Sequence, residues 1–226
     1  MRPAKIALFL QMLFKAFSGF GILGCILFLA AGTFQYPQGW LFLISLLAPM
    51  SGLELYLLLK EPEVLKRRLV SKEPEKKQRL YIALMGLFLL FSFLIAGLDY
   101  RLGLSKMPFA LSVSGAIMMM LGYGLFCAVL LQNAYASRVV SLQENQQVIS
   151  TGLYARVRHP MYTATLFLFF AMPIALGSYY ALLPLLPFPF LLARRARNEE
   201  AVLTEGLCGY AQYLEKVRWR FIPYVW

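Results

Sequence analysis

The sequence predicts an all-α integral membrane protein, a multi-pass helical bundle of four spans followed by a C-terminal helical hairpin. Two observations favour this class. Of the 226 residues, 60% are hydrophobic and only 15% are charged, whereas soluble domains average about 25% charged residues. Several apolar runs also reach the roughly 20 residues that a helix needs to cross about 30 Å of hydrocarbon.

The four predicted spans are the apolar runs at residues 6–33, 40–59, 80–98 and 108–131. The first run is too long for the hydrophobic segment of a secretory signal peptide, and further spans follow it. A fifth apolar region, residues 161–193, is interrupted by Pro173, by residues 177–180, and by Pro184, Pro187 and Pro189. Because proline removes a backbone donor and kinks a helix, this region is predicted to form a hairpin.

The distribution of basic residues predicts the orientation of the bundle. Lysine and arginine concentrate at the N-terminus, in residues 60–79 and 138–158, and after residue 194, whereas the 99–106 loop holds only Arg101 and Lys106. The positive-inside rule therefore places both termini and segments 60–79, 132–160 and 194–226 in the cytoplasm. Topology and anionic lipid head groups account for the net charge of +11, so no nucleic-acid partner is predicted.

Several common site types are not indicated. The three cysteines show no paired or CxxC spacing, and the chain has a single histidine, so no metal site is predicted. The sequence also lacks a Walker loop and a GxSxG serine elbow. Any cofactor is therefore expected to be held in another way.

A first polar cluster follows the fourth span, in the sequence STGLYARVRHPMY from Ser150. The residue before a proline is pushed out of the helical region and proline suits a first helical turn, so a helix is predicted to begin at Pro160. Its free backbone N–H groups, together with Arg156 and Arg158, predict a corner that favours anions. Arg156 alone is also typical of a lipid head-group anchor.

A second polar cluster follows the hairpin. Glu199 and Glu200 are adjacent acids, and on a helix Arg195 lies one turn before Glu199, with Arg197 within reach of Glu200. Because the hairpin returns to its starting side, the anion-favouring corner and the carboxylate pair are expected to meet beside the lipid. Simple ion pairing on a helix surface is the alternative for these acids.

Together these clusters resemble the isoprenylcysteine carboxyl methyltransferase family, and related membrane enzymes that methylate phospholipid amines share much of the pattern. The resemblance covers about the last 80 residues. It rests on Arg158, His159, Pro160 and Tyr162, then Glu199 and Glu200, then Tyr210, Tyr213 and Ile222-Pro223. Ala164 stands where the family usually has glycine.

The resemblance implies an S-adenosyl-L-methionine-dependent methyltransferase with a cytoplasmic C-terminal cofactor-binding region and a lipophilic substrate, foremost a prenylcysteine-type carboxylate. The alternatives are a phospholipid amine N-methyltransferase, an NADPH-dependent enzyme like the sterol reductases, and a non-catalytic membrane scaffold. Residues 133–226 would form the catalytic region and residues 1–132 would select the substrate. The implied cofactor-binding residues are Tyr154, Arg158, His159, Tyr162, Glu199 and Glu200, and the implied catalytic residues are Arg195, Arg197 and Glu200.

Five further expectations concern single features. Either Arg195 or Arg197 is expected to orient the substrate carboxylate, and a Glu200→Gln change is expected to weaken cofactor binding with folding nearly intact. Glu54 lies in the second span and needs a partner or a cavity. The proline-rich return of the hairpin either lines a route for lipid or is a packing kink. The aromatic residues of the tail are expected to form an interfacial belt, namely Tyr210, Tyr213, Trp219, Tyr224 and Trp226.

Overall fold

The computed structural model describes residues 3–69, 75–133, 135 and 146–226, and all regular secondary structure in them is helical. The α-helices are α1 (Pro3–Ala31), α2 (Pro37–Lys60), α3 (Pro62–Leu69), α4 (Lys76–Leu102), α5 (Phe109–Gln132), α6 (Pro160–Ala175), α7 (Phe188–Gly206) and α8 (Tyr210–Lys216). Two 3-10 helices cover Gly152–Ala155 and Tyr180–Leu185. The predicted all-α class is confirmed.

Four helices in the described part of the chain are long and apolar enough to cross a membrane. They cover Ile6–Ala31, Pro37–Lys60, Lys76–Leu102 and Phe109–Gln132, so the four predicted spans are confirmed. Local chemistry sets their ends. Proline occupies the first turn of α2, the Glu75 carboxylate caps α4 by accepting from the backbone of Lys77 and Gln78, and Gly103 ends α4 in the left-handed conformation.

The predicted hairpin runs the whole length of the bundle. Its first arm, α6, packs antiparallel to α5, and its turn lies at the far end of the bundle, where Ser178 Oγ donates to the Asp99 carboxylate and Tyr36 Oη to the Leu176 carbonyl. The opposite end of the bundle, where α6 begins, holds the last residues of the chain, because Arg158 and His159 bond to Trp219 and Arg220 there. The hairpin therefore returns to the end from which it left.

The return arm of the hairpin packs along α4. Ser92 Oγ donates to the Ala181 carbonyl at 2.7 Å, and further along Gln78 Nε2 donates to the Arg195 carbonyl at 3.2 Å. Ala181 and Leu185 are fully buried in the core. The proline-rich segment around Pro184 therefore acts here as a packing kink against α4, and Ala181 and Leu185 do not face lipid.

Close helix packing makes Gly115 of α5 sensitive to substitution. A Cβ atom at this position would lie 2.5 Å from the backbone nitrogen of Ala175, whereas one at Gly124 on the same helix meets nothing within 4 Å. We expect Gly115→Val to lower the free energy of unfolding by about 2–3 kcal/mol, because overpacking forces α5 and α6 apart. Denaturation in detergent should show this loss, with Gly124→Val within about 0.5 kcal/mol of the parent. Equal stability of the two variants would contradict the close contact of α5 and α6.

Candidate active site where the hairpin meets the tail

A single cavity of about 630 Å³ joins the two polar clusters to the interior of the bundle. This volume lies in the range of about 300–1,000 Å³ that is typical of pockets for small ligands. One part of its wall is polar and is lined by Tyr154, Arg158, His159, Tyr162, Arg195 and Glu199. Another part is apolar and is lined by Met85, Leu89, Phe169, Phe188 and Leu192.

The first turn of α6 and the middle of α7 meet at Tyr162. The Tyr162 hydroxyl donates to Glu199 Oε2 at 2.6 Å and accepts from Arg195 Nε at 2.9 Å. The ring of His159 stacks on Tyr162 with centroids 5.3 Å apart, and His159 Nδ1 lies 3.9 Å from Glu199 Oε2. The two clusters therefore meet as the sequence predicts, with Arg195 and Glu199 one helical turn apart on the same face.

Glu200 points away from the cavity into a buried ionic network. Its carboxylate accepts from Arg220 Nε at 3.0 and 3.1 Å and from Arg220 Nη2 at 2.9 Å. His159 Nε2 lies 3.2 Å and Arg158 Nη1 3.4 Å from Glu200 Oε1. Burial alone would raise the pKa of Glu200, but the hydrogen bonds from His159 and Arg220 outweigh burial and lower this pKa to about 2.

The backbone N–H groups just before Pro160 are bonded to the tail of the chain. The Arg158 N–H donates to the Trp219 carbonyl at 2.8 Å, and the His159 N–H donates to the Arg220 carbonyl at 2.9 Å. These donors are satisfied by the tail because the chain after α8 runs beside residues 158 and 159. The backbone before Pro160 therefore offers no free N–H group to a ligand, and the anion-favouring corner at the first turn of α6 stays a prediction.

The Arg158 guanidinium also holds the tail. Its Nε donates to the Val217 carbonyl at 2.6 Å and its Nη2 to the Leu214 carbonyl at 2.8 Å. Arg158 still contributes to the cavity wall. Its Nε, Nη1 and Nη2 atoms each have a partner within the chain, and its role in cofactor binding stays a prediction.

Of the remaining predicted site residues, some line the cavity and others lie outside its wall. Tyr154 lines the cavity, and its hydroxyl accepts from Asn133 Nδ2 at 3.0 Å. Burial raises the pKa of Tyr154 to about 12, so the hydroxyl stays protonated at neutral pH. Arg197 is exposed and lies over the Trp226 ring at 5.9 Å, outside the cavity wall, and Arg156 is exposed as well. Of the two candidate arginines, only Arg195 faces the cavity.

Sequence reasoning missed Arg220 and assigned Tyr210 and Tyr213 to the wrong setting. Arg220 is the main partner of Glu200, yet its local setting in the sequence differs little from that of Arg218, which stacks on Trp219 at 5.1 Å. Tyr210 and Tyr213 line the cavity and are only 5% and 4% exposed, so the prediction that they belong to an interfacial belt is wrong. Their burial beside Arg158 has no local signal, because tyrosine is common in both settings.

Comparison with known proteins found one family model that matches part of the chain. Residues 111–207 match the family model described as phospholipid methyltransferase. The matched region begins in α5, contains the hairpin and both adjacent acids, and ends after α7, so it leaves out Tyr210, Tyr213 and Arg220. No curated protein is similar enough to the chain to count as a match.

Proposed function

We propose that the chain is a membrane methyltransferase that uses S-adenosylmethionine to methylate a lipid, because residues 111–207 match the family model described as phospholipid methyltransferase. One observation supports this most strongly: a single cavity carries Arg195, His159, Tyr162 and Glu199 on one part of its wall and apolar side chains on another. A charged cofactor and a lipophilic acceptor can therefore reach the same space.

The polar wall has the groups that S-adenosylmethionine requires. This cofactor carries a cationic sulfonium, an amine, a carboxylate and a ribose with two hydroxyls. The Glu199 carboxylate can accept from the amine or the ribose hydroxyls, and Arg195 and Tyr154 can donate to anionic or hydroxyl oxygens. The residues present therefore fit the cofactor.

When bound, the cofactor supplies an electrophilic methyl group, and the residues of the chain orient the partners. The Tyr162 hydroxyl holds Glu199 and Arg195 in place, since it bonds to both side chains. Glu200 ties His159 to the tail through Arg220, so it acts as a positioning residue. Orientation of this kind is the main contribution that a protein makes to an in-line displacement.

Two acceptors follow from different residues. A prenylcysteine-type carboxylate is already ionised at neutral pH and needs only to be oriented, which Arg195 can do. A phospholipid amine must lose a proton before attack, and Glu199 or His159 can attract the ammonium and accept that proton. The prenylcysteine-type carboxylate is the first candidate acceptor. The phospholipid amine is the second candidate, and the family match supports it.

Glu199→Gln should weaken binding of S-adenosylhomocysteine, the product form of the cofactor. Loss of a hydrogen bond to a charged group costs about 1.5–3 kcal/mol, which corresponds to a roughly ten- to hundredfold higher Kd. Calorimetric titration in detergent measures the Kd, and Glu205→Gln, at an exposed position on the same helix, is the matched control and should leave the Kd unchanged.

NADPH in a parallel titration distinguishes the proposed function from a reductase. We expect heat of binding with S-adenosylhomocysteine and none with NADPH. Binding of NADPH alone would overturn the methyltransferase assignment. An unchanged Kd for S-adenosylhomocysteine in Glu199→Gln would remove Glu199 from the cofactor site while leaving the assignment of the reaction intact.

A further inference from the structure

We propose that residues 222–225, with the sequence Ile-Pro-Tyr-Val, form a membrane anchor that inserts into the head-group region of the lipid bilayer beside α6. All four residues are exposed, and the exposed fractions of Tyr224 and Val225 reach 88% and 71%. An exposed run of four apolar residues is unfavourable in water and commonly marks an interaction surface. The bilayer that surrounds the four spans is the apolar partner nearest to this run.

The backbone of the anchor is bonded largely within its own turn. The Ile222 N–H donates to the backbone oxygen of Trp226 at 3.2 Å, and the N–H groups of Val225 and Trp226 donate to the Ile222 carbonyl at 3.2 and 3.1 Å. Pro223 has no N–H to satisfy, and Tyr224 closes the turn with a φ of 65°. Little water is available below the head groups to bond free backbone groups. The internal bonds therefore suit this turn to the bilayer interface.

The surface beside the anchor is the apolar outer surface of the hairpin. Phe221, the residue before the anchor, packs in one apolar cluster with Leu192 of α7 and Leu166 of α6. On the same two helices Phe167 and Phe190 are exposed. Because α6 packs on α5 and α7 on α4, and α4 and α5 are predicted spans, these outward phenylalanines face lipid. The anchor continues that surface, which favours lipid over a protein as its partner.

Aromatic rings and arginines flank the anchor. The Trp219 ring lies 5.8 Å from the Tyr224 ring, and Arg218, which is exposed, stacks on Trp219. Arg197 is also exposed and lies over the Trp226 ring. Tryptophan and tyrosine concentrate at the level of the head groups, and arginine there can extend its guanidinium toward lipid phosphates. This composition places the anchor at the interface rather than in the hydrocarbon core.

An inserted anchor holds the tail against the first turn of α6. The Thr163 hydroxyl donates to the Phe221 carbonyl at 2.7 Å, and the His159 N–H donates to the Arg220 carbonyl at 2.9 Å. The Arg220 side chain in turn pairs with Glu200. The bilayer therefore supports the buried ionic network from outside the bundle, whichever reaction the chain catalyses.

A nitroxide label at Val225→Cys tests the anchor in the full chain, with the three native cysteines replaced by serine and with vesicles of phosphatidylcholine and phosphatidylglycerol. Glu215→Cys is the matched control, since Glu215 is exposed on α8. Collision with a water-soluble nickel complex should be at least about tenfold less frequent at residue 225 than at residue 215, because burial of apolar side chains favours the inserted turn by at least that factor. Collision with oxygen, which concentrates in lipid, should be as frequent as at Phe190→Cys.

Equal collision with the nickel complex at residues 225 and 215 would overturn the anchor, because the turn would then lie in water. Protection of residue 225 from both the nickel complex and oxygen would overturn lipid as the partner, since a second copy or another protein would then cover the turn.

A label at Tyr224→Cys repeats the measurement if Val225→Cys does not fold. Addition of Val225→Asp to this labelled chain should raise collision with the nickel complex toward the frequency at residue 215, because an aspartate is costly in lipid. Unchanged protection of residue 224 beside the new aspartate would contradict insertion.

Discussion

Glu200→Gln should lower the free energy of unfolding by about 3–5 kcal/mol, because removal of one partner from a buried ion pair leaves the other charges uncompensated. The Glu200 side chain is 7% exposed and contacts Arg220, His159 and Arg158. Glutamine keeps the size of the side chain but cannot balance the two guanidinium groups. Chemical denaturation in detergent measures the loss of stability.

Glu199→Gln is the matched control for this experiment. Glu199 is the neighbouring acid on α7 and its side chain is 28% exposed, so its loss should change the free energy of unfolding by less than about 1 kcal/mol. The two variants should therefore separate: Glu200→Gln lowers stability, and Glu199→Gln lowers cofactor affinity. Equal stability of both variants would show that the Glu200 network contributes no net stability.

The stability difference between the parent and Glu200→Gln should depend on pH in a defined direction. The pKa of Glu200 is lowered from 4.5 to about 2 in the folded protein. A lowered folded-state pKa stabilises the fold fully above the unfolded value and less as pH falls. The difference should therefore be constant above about pH 5 and shrink between about pH 4.5 and 2.

The parts of the fold that the sequence predicted correctly depend on periodic or compositional signals. Span positions follow from the length of apolar runs, and the hairpin follows from the prolines that interrupt residues 161–193. The meeting of Tyr162 with Glu199 follows in turn from the hairpin, because a segment that returns to its starting side brings its two ends together.

The parts that were missed depend on contacts between residues far apart in the sequence. Glu199 and Glu200 are adjacent, so only the neighbours around α7 determine which acid faces the cavity and which enters the buried network. The backbone contacts of Arg158 and His159 join them to Trp219 and Arg220. No local pattern indicates that pairing, because it belongs to an irregular segment without helical or strand periodicity.

The same tail explains why Glu200→Gln is expected to lower stability, whereas the sequence alone predicts weaker cofactor binding. The tail after α8 runs beside Glu200 and brings Arg220 into contact with it. Glu200 is therefore the centre of a structural network. Glu199, with the Tyr162 hydroxyl at 2.6 Å, keeps the position on the cavity wall. The two adjacent acids therefore differ in position: Glu200 bonds to the tail, and Glu199 lines the cavity.

Gly86→Phe should slow methyl transfer to a lipid acceptor at least about tenfold while cofactor affinity stays the same. Gly86 of α4 is exposed and lines the cavity, and a Cβ atom there meets nothing within 4 Å. An aromatic ring at this position occupies space beside Met85 and Leu89. Displacing two buried CH₂ groups of an acceptor costs about 1.6 kcal/mol, which is more than tenfold in binding.

The measurement uses methyl-labelled S-adenosylmethionine and vesicles that contain the chain and a membrane lipid extract, with label in the lipid fraction as the readout. Gly124→Phe is the matched control, since Gly124 is also exposed in a predicted span, also has nothing within 4 Å of an added Cβ, and lies outside the cavity wall. A rise in KM for the lipid with an unchanged Kd for S-adenosylhomocysteine indicates that the apolar wall binds the acceptor. Equal rates of methyl transfer in Gly86→Phe and Gly124→Phe would show that the acceptor binds outside this part of the cavity. The two substitutions have the same size, and only the one at Gly86 faces the cavity.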